Sequence, residues 1–222
     1  MAKGLIIVSA LAIASASQAY ILDDFSTGAY NSGYFSAGTV DGWVTSPGAA
    51  GGVRFTSTTI TANPLGGDAR ARVITTPGIY AVGTESQVDI TSRLGYGFAN
   101  TSLTPASNPL NIDLSLDPIL TLSFVSNDVS QPVVATIYTN GGANSYSVTA
   151  NAPGGITPGS PVDLQLDFTS FAGLLTDVDG ITFDFDPSAG GDFSLTTVQA
   201  VPEPASLAVL GIGLVALKRR RN

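Results

Sequence analysis

Histidine and cysteine are both absent from this 222-residue chain, and their absence removes whole classes of chemistry. Without imidazole there is no Ser-His-Asp or Cys-His machinery, and without thiolates there is no disulfide, redox pair or Cys/His zinc site. Charge is also scarce, since only 12% of residues carry one, about half the share usual in soluble globular proteins. Carboxylates, tyrosines, hydroxyls and four internal arginines are what remain for catalysis, a set suited only to carboxylate-pair glycoside chemistry. No long stretch between the two ends sustains a helical period. Lysine is missing from the whole interior: residues 20–201 hold Arg54, Arg70, Arg72 and Arg93 against 16 carboxylates, a net charge of −12. Nucleic-acid binding, which draws its affinity from Lys and Arg on phosphates, is excluded as a function class. Anionic membrane surfaces are disfavoured for the same reason, which leaves calcium, sugars and basic partners open.

The two ends have a different composition. Residues 1–19 begin with Lys3, continue through the apolar run Leu5 to Ile13 and finish in small residues, with Ser17 and Ala19 at the −3 and −1 positions before Tyr20. This layout reads as a secretory signal helix cut between Ala19 and Tyr20, with the secretory translocon and signal peptidase as partners. At the other end, Val201, Pro202, Glu203 and Pro204 precede a charge-free apolar run, 205–217, and then Lys218, Arg219, Arg220 and Arg221. As a helix that run spans about 20 Å against a hydrocarbon core of about 30 Å. The terminal cations snorkel and, by the positive-inside rule, fix the C-terminus in the cytoplasm. A short transmembrane helix therefore holds the domain on the outer side of the inner membrane, in agreement with the signal peptide. The two prolines around Glu203 keep the backbone extended and leave one charge near the interface, a form that a protease can read.

A Pro-Glu-Pro segment, a short apolar helix and a basic cluster at the extreme C-terminus, in that order, resemble the PEP-CTERM sorting signal of Gram-negative bacteria. The resemblance covers residues 201–222. It implies recognition of Pro202, Glu203 and Pro204 by an exosortase, a membrane protease-transpeptidase, and release to the cell surface or an extracellular polysaccharide matrix.

Between the ends, strand signals dominate. Val53–Thr61, Ile119–Val125, Val133–Tyr138, Val162–Phe168 and Ile181–Asp186 alternate apolar with polar residues and are rich in β-branched and aromatic side chains. Turn clusters such as Asn63-Pro-Leu-Gly-Gly67 and Ala152-Pro-Gly-Gly155 separate them. The expectation is a single all-β domain over residues 20–200, a two-sheet antiparallel β-sandwich of the jelly-roll kind. Asp113–Asp117 and Asp163–Asp167 both read as edge-like strands with Leu inward and Asp outward. The opening Tyr20–Phe25 and the closing Gly191–Val198 are similar to the first and last strands of galactose-binding-like carbohydrate modules. That likeness implies terminal strands lying close together.

Candidate sites follow from residue type. Asp23, Asp24 and Asp192 supply hard oxygen ligands for a structural Ca²⁺ if the terminal strands meet. Tyr30, Tyr34 and Trp43, in the Gly/Ser-rich segment 27–52 that reads as loops, suit a flat platform for sugar rings. Asp177–Asp186 is the densest acidic run, yet its same-face spacing is that of any strand, so it reads as the polar face of a core strand preceded by a turn. The chain is thus expected to be an exported, non-enzymatic surface or matrix protein. The alternatives are a carbohydrate-binding module acting on exopolysaccharide and, more remotely, a glycosidase.

Overall fold

The computed structural model describes residues 19–99 and 109–201. The signal segment up to residue 18, Pro202–Pro204, the apolar run 205–217 and the basic cluster Lys218–Arg221 lie outside the described residues. Thirteen strands follow in order: β1 (Tyr20–Asp23), β2 (Tyr30–Asn31), β3 (Thr39–Thr45), β4 (Val53–Ala62), β5 (Ala69–Ile74), β6 (Ile79–Thr84), β7 (Asp89–Tyr96), β8 (Ile119–Asn127), β9 (Gln131–Thr139), β10 (Asn144–Ala152), β11 (Val162–Asp167), β12 (Val178–Phe185) and β13 (Phe193–Val201). Two short 3₁₀ turns are the helical pieces among the described residues.

Two antiparallel sheets result, as the alternating pattern requires. The first runs β11-β8-β13-β6-β5-β2, with β1 sharing one flank of β13 with β6. The second runs β10-β9-β12-β7-β4-β3. Every second residue points between them. Leu120, Leu122 and Phe124 of β8 meet Ile181, Phe183 and Phe185 of β12 in one buried cluster. Phe185 and Phe193, from opposite sheets, stack with ring centroids 4.7 Å apart, and Phe124 and Tyr80 pack around Phe193 at 6.2 and 6.1 Å. This aromatic group joins the layers, each ring removing a large apolar area from water.

Two strand expectations change and a third holds. Segment 27–52 is not all loop, since β3 forms the edge of the second sheet and the two residues of β2 pair with β5. Asp113–Asp117 is not a strand: Leu114 is buried but Leu116 is 78% exposed, so the alternation is broken and only an isolated bridge at Ile112 remains. Asp163–Asp167 does form an edge strand, with Leu164 and Leu166 inward.

A hydroxyl also crosses the core. Tyr80 of the first sheet lies 2.8 Å from Ser92 Oγ of the second, and burial pushes its pKa up to about 12. Deprotonation of Tyr80 is thus easier in the unfolded chain. Its share of the stability is complete below pH 10 and is lost as pH climbs from about 10 to about 12. Ultraviolet titration should show the Tyr80 ionisation step above pH 10, coinciding with alkaline unfolding. Ionisation of all tyrosines in one step near pH 10 would contradict this.

Candidate binding groove

The sequence-predicted carboxylates do not converge. Strand β1 pairs with β13, as the likeness of the terminal strands implied, but the register sets Asp23 opposite Val198. Asp192 lies six residues away, about 20 Å at ~3.3 Å per residue. Asp24 is exposed and accepts hydrogen bonds from Ser26 N (2.9 Å) and Ser26 Oγ (2.6 Å), which hold its pKa below the usual value. Asp192 accepts Thr84 N at 2.7 Å, while burial, aided by the charge of Asp128, raises its pKa. Among the described residues no group of three or more Asp or Glu is placed to hold a metal ion.

Asp23 has a different role. It is fully buried and receives both arms of the Arg54 fork, Nε at 2.6 Å and Nη2 at 2.7 Å. Parity puts Arg54 there: it shares the inward face of β4 with Thr56 and Thr58. Its remaining donors reach the Gly28 carbonyl (2.9 Å) and Ser46 Oγ (3.1 Å), and the guanidinium lies 5.1 Å from the Phe25 ring centre. Burial opposes the Arg54 charge most strongly, but the hydrogen bond and charge of Asp23 together with the neighbouring Tyr96 outweigh it and raise the Arg54 pKa. The neighbouring Tyr96 hydroxyl, without a hydrogen bond of acceptable geometry, has its pKa driven well above the usual value by burial and then by the Asp23 charge. The pair pins the loop after β1 to the second sheet.

The three aromatics separate as well. Tyr30 is half-buried, with its ring against the backbone of Gly42, where a Cβ would come within 2.2 Å of the ring. Trp43 is 54% exposed on β3, opposite Phe55 in the second sheet. Tyr34 is 71% exposed over the first sheet, where the Arg70 guanidinium lies 4.9 Å from its ring centre. They do not form one platform, because Trp43 is on β3 of the second sheet while Tyr34 sits on a loop over the outer face of the first. The acidic run 177–186 is also dispersed: Asp179 is buried and accepts Gly141 N, while Asp184 pairs with Arg93.

What the structure does build is an open groove of about 550 Å³ on the outer face of the first sheet. Its floor follows the pairing register across three strands, with Arg72 opposite Ala81 and Ala81 opposite Ser194. Tyr34 and Arg70 form one wall, and Asp68, Glu85 and Asp192 close one end. A second hollow of about 480 Å³ adjoins it and shares Arg70, Arg72 and Ile74. The arginines were legible in the sequence: Ala69, Ala71 and Val73 turn inward, which sends Arg70 and Arg72 outward together.

Comparison with known proteins identifies the PEP-CTERM protein-sorting motif over residues 200–222. No curated protein matches the chain significantly. The solved structures similar to it include several carbohydrate-binding modules, alongside a glycoside hydrolase family 43 arabinofuranohydrolase and the enzymatically active domain of a bacteriophage tailspike protein. The family 11 carbohydrate-binding module of the cellulosomal cellulase Lic26A-Cel5E of Clostridium thermocellum is 15% identical, with a TM-score of 0.42 over 85% of this chain and 97% of that one. The Clostridium thermocellum family 11 module in complex with a β-1,3-1,4-mixed-linked tetrasaccharide is 14% identical, with a TM-score of 0.41 over 85% and 98%. A further carbohydrate-binding module of the β-sandwich superfamily is 10% identical, with a TM-score of 0.38 over 85% and 62%.

Proposed function

We propose that this chain is an exported cell-surface or extracellular-matrix protein with a non-catalytic role, delivered by its C-terminal sorting signal. The observation that carries the reading is the sorting motif at residues 200–222, which implies export and processing at the membrane by an exosortase. The fold is compatible with such a cut. Strand β13 ends at Val201, one residue before Pro202, so cleavage within the motif leaves every strand of the sandwich whole.

Intact-mass analysis of the protein from the native host tests this, with the sorting protease present and deleted. The expected species starts at Tyr20, ends within Pro202–Pro204 and depends on the protease. A membrane-held species retaining Asn222 in both strains would reduce the tail to a plain anchor and remove the support for a matrix role.

The groove favours a second reading, in which the sandwich, of the jelly-roll, galactose-binding-like kind, binds exopolysaccharide. An exposed tyrosine held by an arginine beside an open trough on a rigid sheet suits a linear sugar chain. Neutral and acidic oligosaccharide panels test that reading directly.

A further inference from the structure

The positive charge of the domain is unevenly used. Of the four arginines among the described residues, Arg54 is buried against Asp23 and Arg93 pairs with Asp184. Arg70 and Arg72 pair with no carboxylate among the described residues. They are neighbours on the outward face of β5, about 7 Å apart as same-face strand residues. Both line the groove, and both line the hollow beside it.

The two sides of this arginine pair differ. On one side lie Asp68, Glu85 and Asp192, with Glu85 and Asp192 engaged in hydrogen bonds from the amides of Asp68 and Thr84. The other side, toward Asn31, Thr75 and Thr76, has no carboxylate in its lining. Arg70 is itself held in place, donating from Nε to Asn31 Oδ1 at 3.0 Å and from Nη1 to the Tyr34 hydroxyl at 3.3 Å. It covers part of the Tyr34 ring, and the largely exposed remainder faces solvent.

Building on the polysaccharide-binding reading, we propose that this groove takes a uronate-bearing polysaccharide, the sugar carboxylate received by Arg70 and Arg72 and a neighbouring ring laid on Tyr34. The physical case is one of contrast. A domain with a net charge of −12 repels polyanions over most of its surface. The unpaired arginine pair is the place where a carboxylate gains rather than loses, and a guanidinium matches a carboxylate in geometry as well as charge. The ring on Tyr34 adds apolar contact that needs no charge.

The test is calorimetric titration of the full-length chain, in non-ionic detergent, with trimers of galacturonate and mannuronate and with a neutral galactose trimer. A uronate trimer should bind more tightly than the neutral one and weaken with added salt. Arg72→Gln and Tyr34→Ala should each reduce uronate affinity by about tenfold or more. Arg93→Gln, which removes the same charge from the other sheet, should leave that affinity unchanged. Equal binding of the neutral trimer, indifferent to Arg72→Gln, would overturn the uronate assignment while leaving the polysaccharide reading intact. Binding of no trimer at all would end both. Equally tight binding of hexaglutamate would overturn the assignment in favour of an acidic peptide partner.

Discussion

Replacing Arg54 with alanine should lower the unfolding free energy by about 3–5 kcal/mol, the cost of leaving a buried charge without its partner. The side chain is 1% exposed and Asp23 is 0% exposed, so the stranded carboxylate has no water to turn to. The loss extends beyond one ion pair. The Gly28 carbonyl and Ser46 Oγ lose a charged donor, and the loop after β1 loses its tie to the second sheet. Guanidinium unfolding of wild type and variant measures the effect. Arg54→Lys should recover only part of it, since an ammonium cannot reproduce the two-armed contact. The paired change Asp23→Leu with Arg54→Met should recover most of it, because a buried ion pair replaced by apolar groups of similar volume is often neutral or better. An Arg54→Ala loss below about 1 kcal/mol would place the pair in a solvated environment and contradict the burial on which the argument rests.

Phe185→Ala should cost about 3–5 kcal/mol as well, by a different route. Here no polar group is stranded. The ring is fully buried and stacked on Phe193 across the two layers, so its removal leaves a cavity between sheets that cannot close without moving whole strands. A double-mutant cycle with Phe193→Ala separates the two contributions, with an expected coupling of about 0.5–1.5 kcal/mol for the ring pair. Strict additivity of the two single changes would mean that the rings share no energy beyond the area each buries. The two experiments probe different joints: Arg54 ties a loop to a sheet by charge, whereas Phe185 ties sheet to sheet by packing.

How far the sequence is readable follows from the range of each interaction. Strands such as Ile119–Asn127 and Val178–Phe185 declare themselves because alternation is local, and an inward Leu, Ile or Phe is written every second residue. The sorting tail is readable for the same reason, its parts being contiguous. Asp113–Asp117 misleads because two Leu at alternate positions suit a strand, yet no neighbour offers a ladder there and Leu116 turns to solvent. The Asp23–Arg54 pair is hidden for the opposite reason. The residues are 31 apart, each is unremarkable alone, and only the closing of two sheets places them in contact. The nearness of the terminal strands, which groups Asp23, Asp24 and Asp192 in the sequence, is real. What grouping cannot supply is register, and the register separates them by most of the length of β13. For the groove, parity alone would have placed Arg70 and Arg72 on one outer face, whereas the partnership of Tyr34 with Arg70 depends on the path of a loop.

The pairing of Tyr20 with Ala200 has a practical consequence for anyone labelling this protein. An epitope or fluorescent reporter fused ahead of Tyr20 sits one strand spacing, about 4.8 Å, from the chain that enters the sorting motif. A bulky label there competes for space with whatever must grip that motif, so mis-sorting of such a fusion would report on the label. The exposed residues 157–160 lie beside Ile156, which bridges to Asn127 at the far end of β8 from Val201. That is roughly 26 Å along the strand. A label inserted there travels with the sandwich and leaves both ends of the described fold clear.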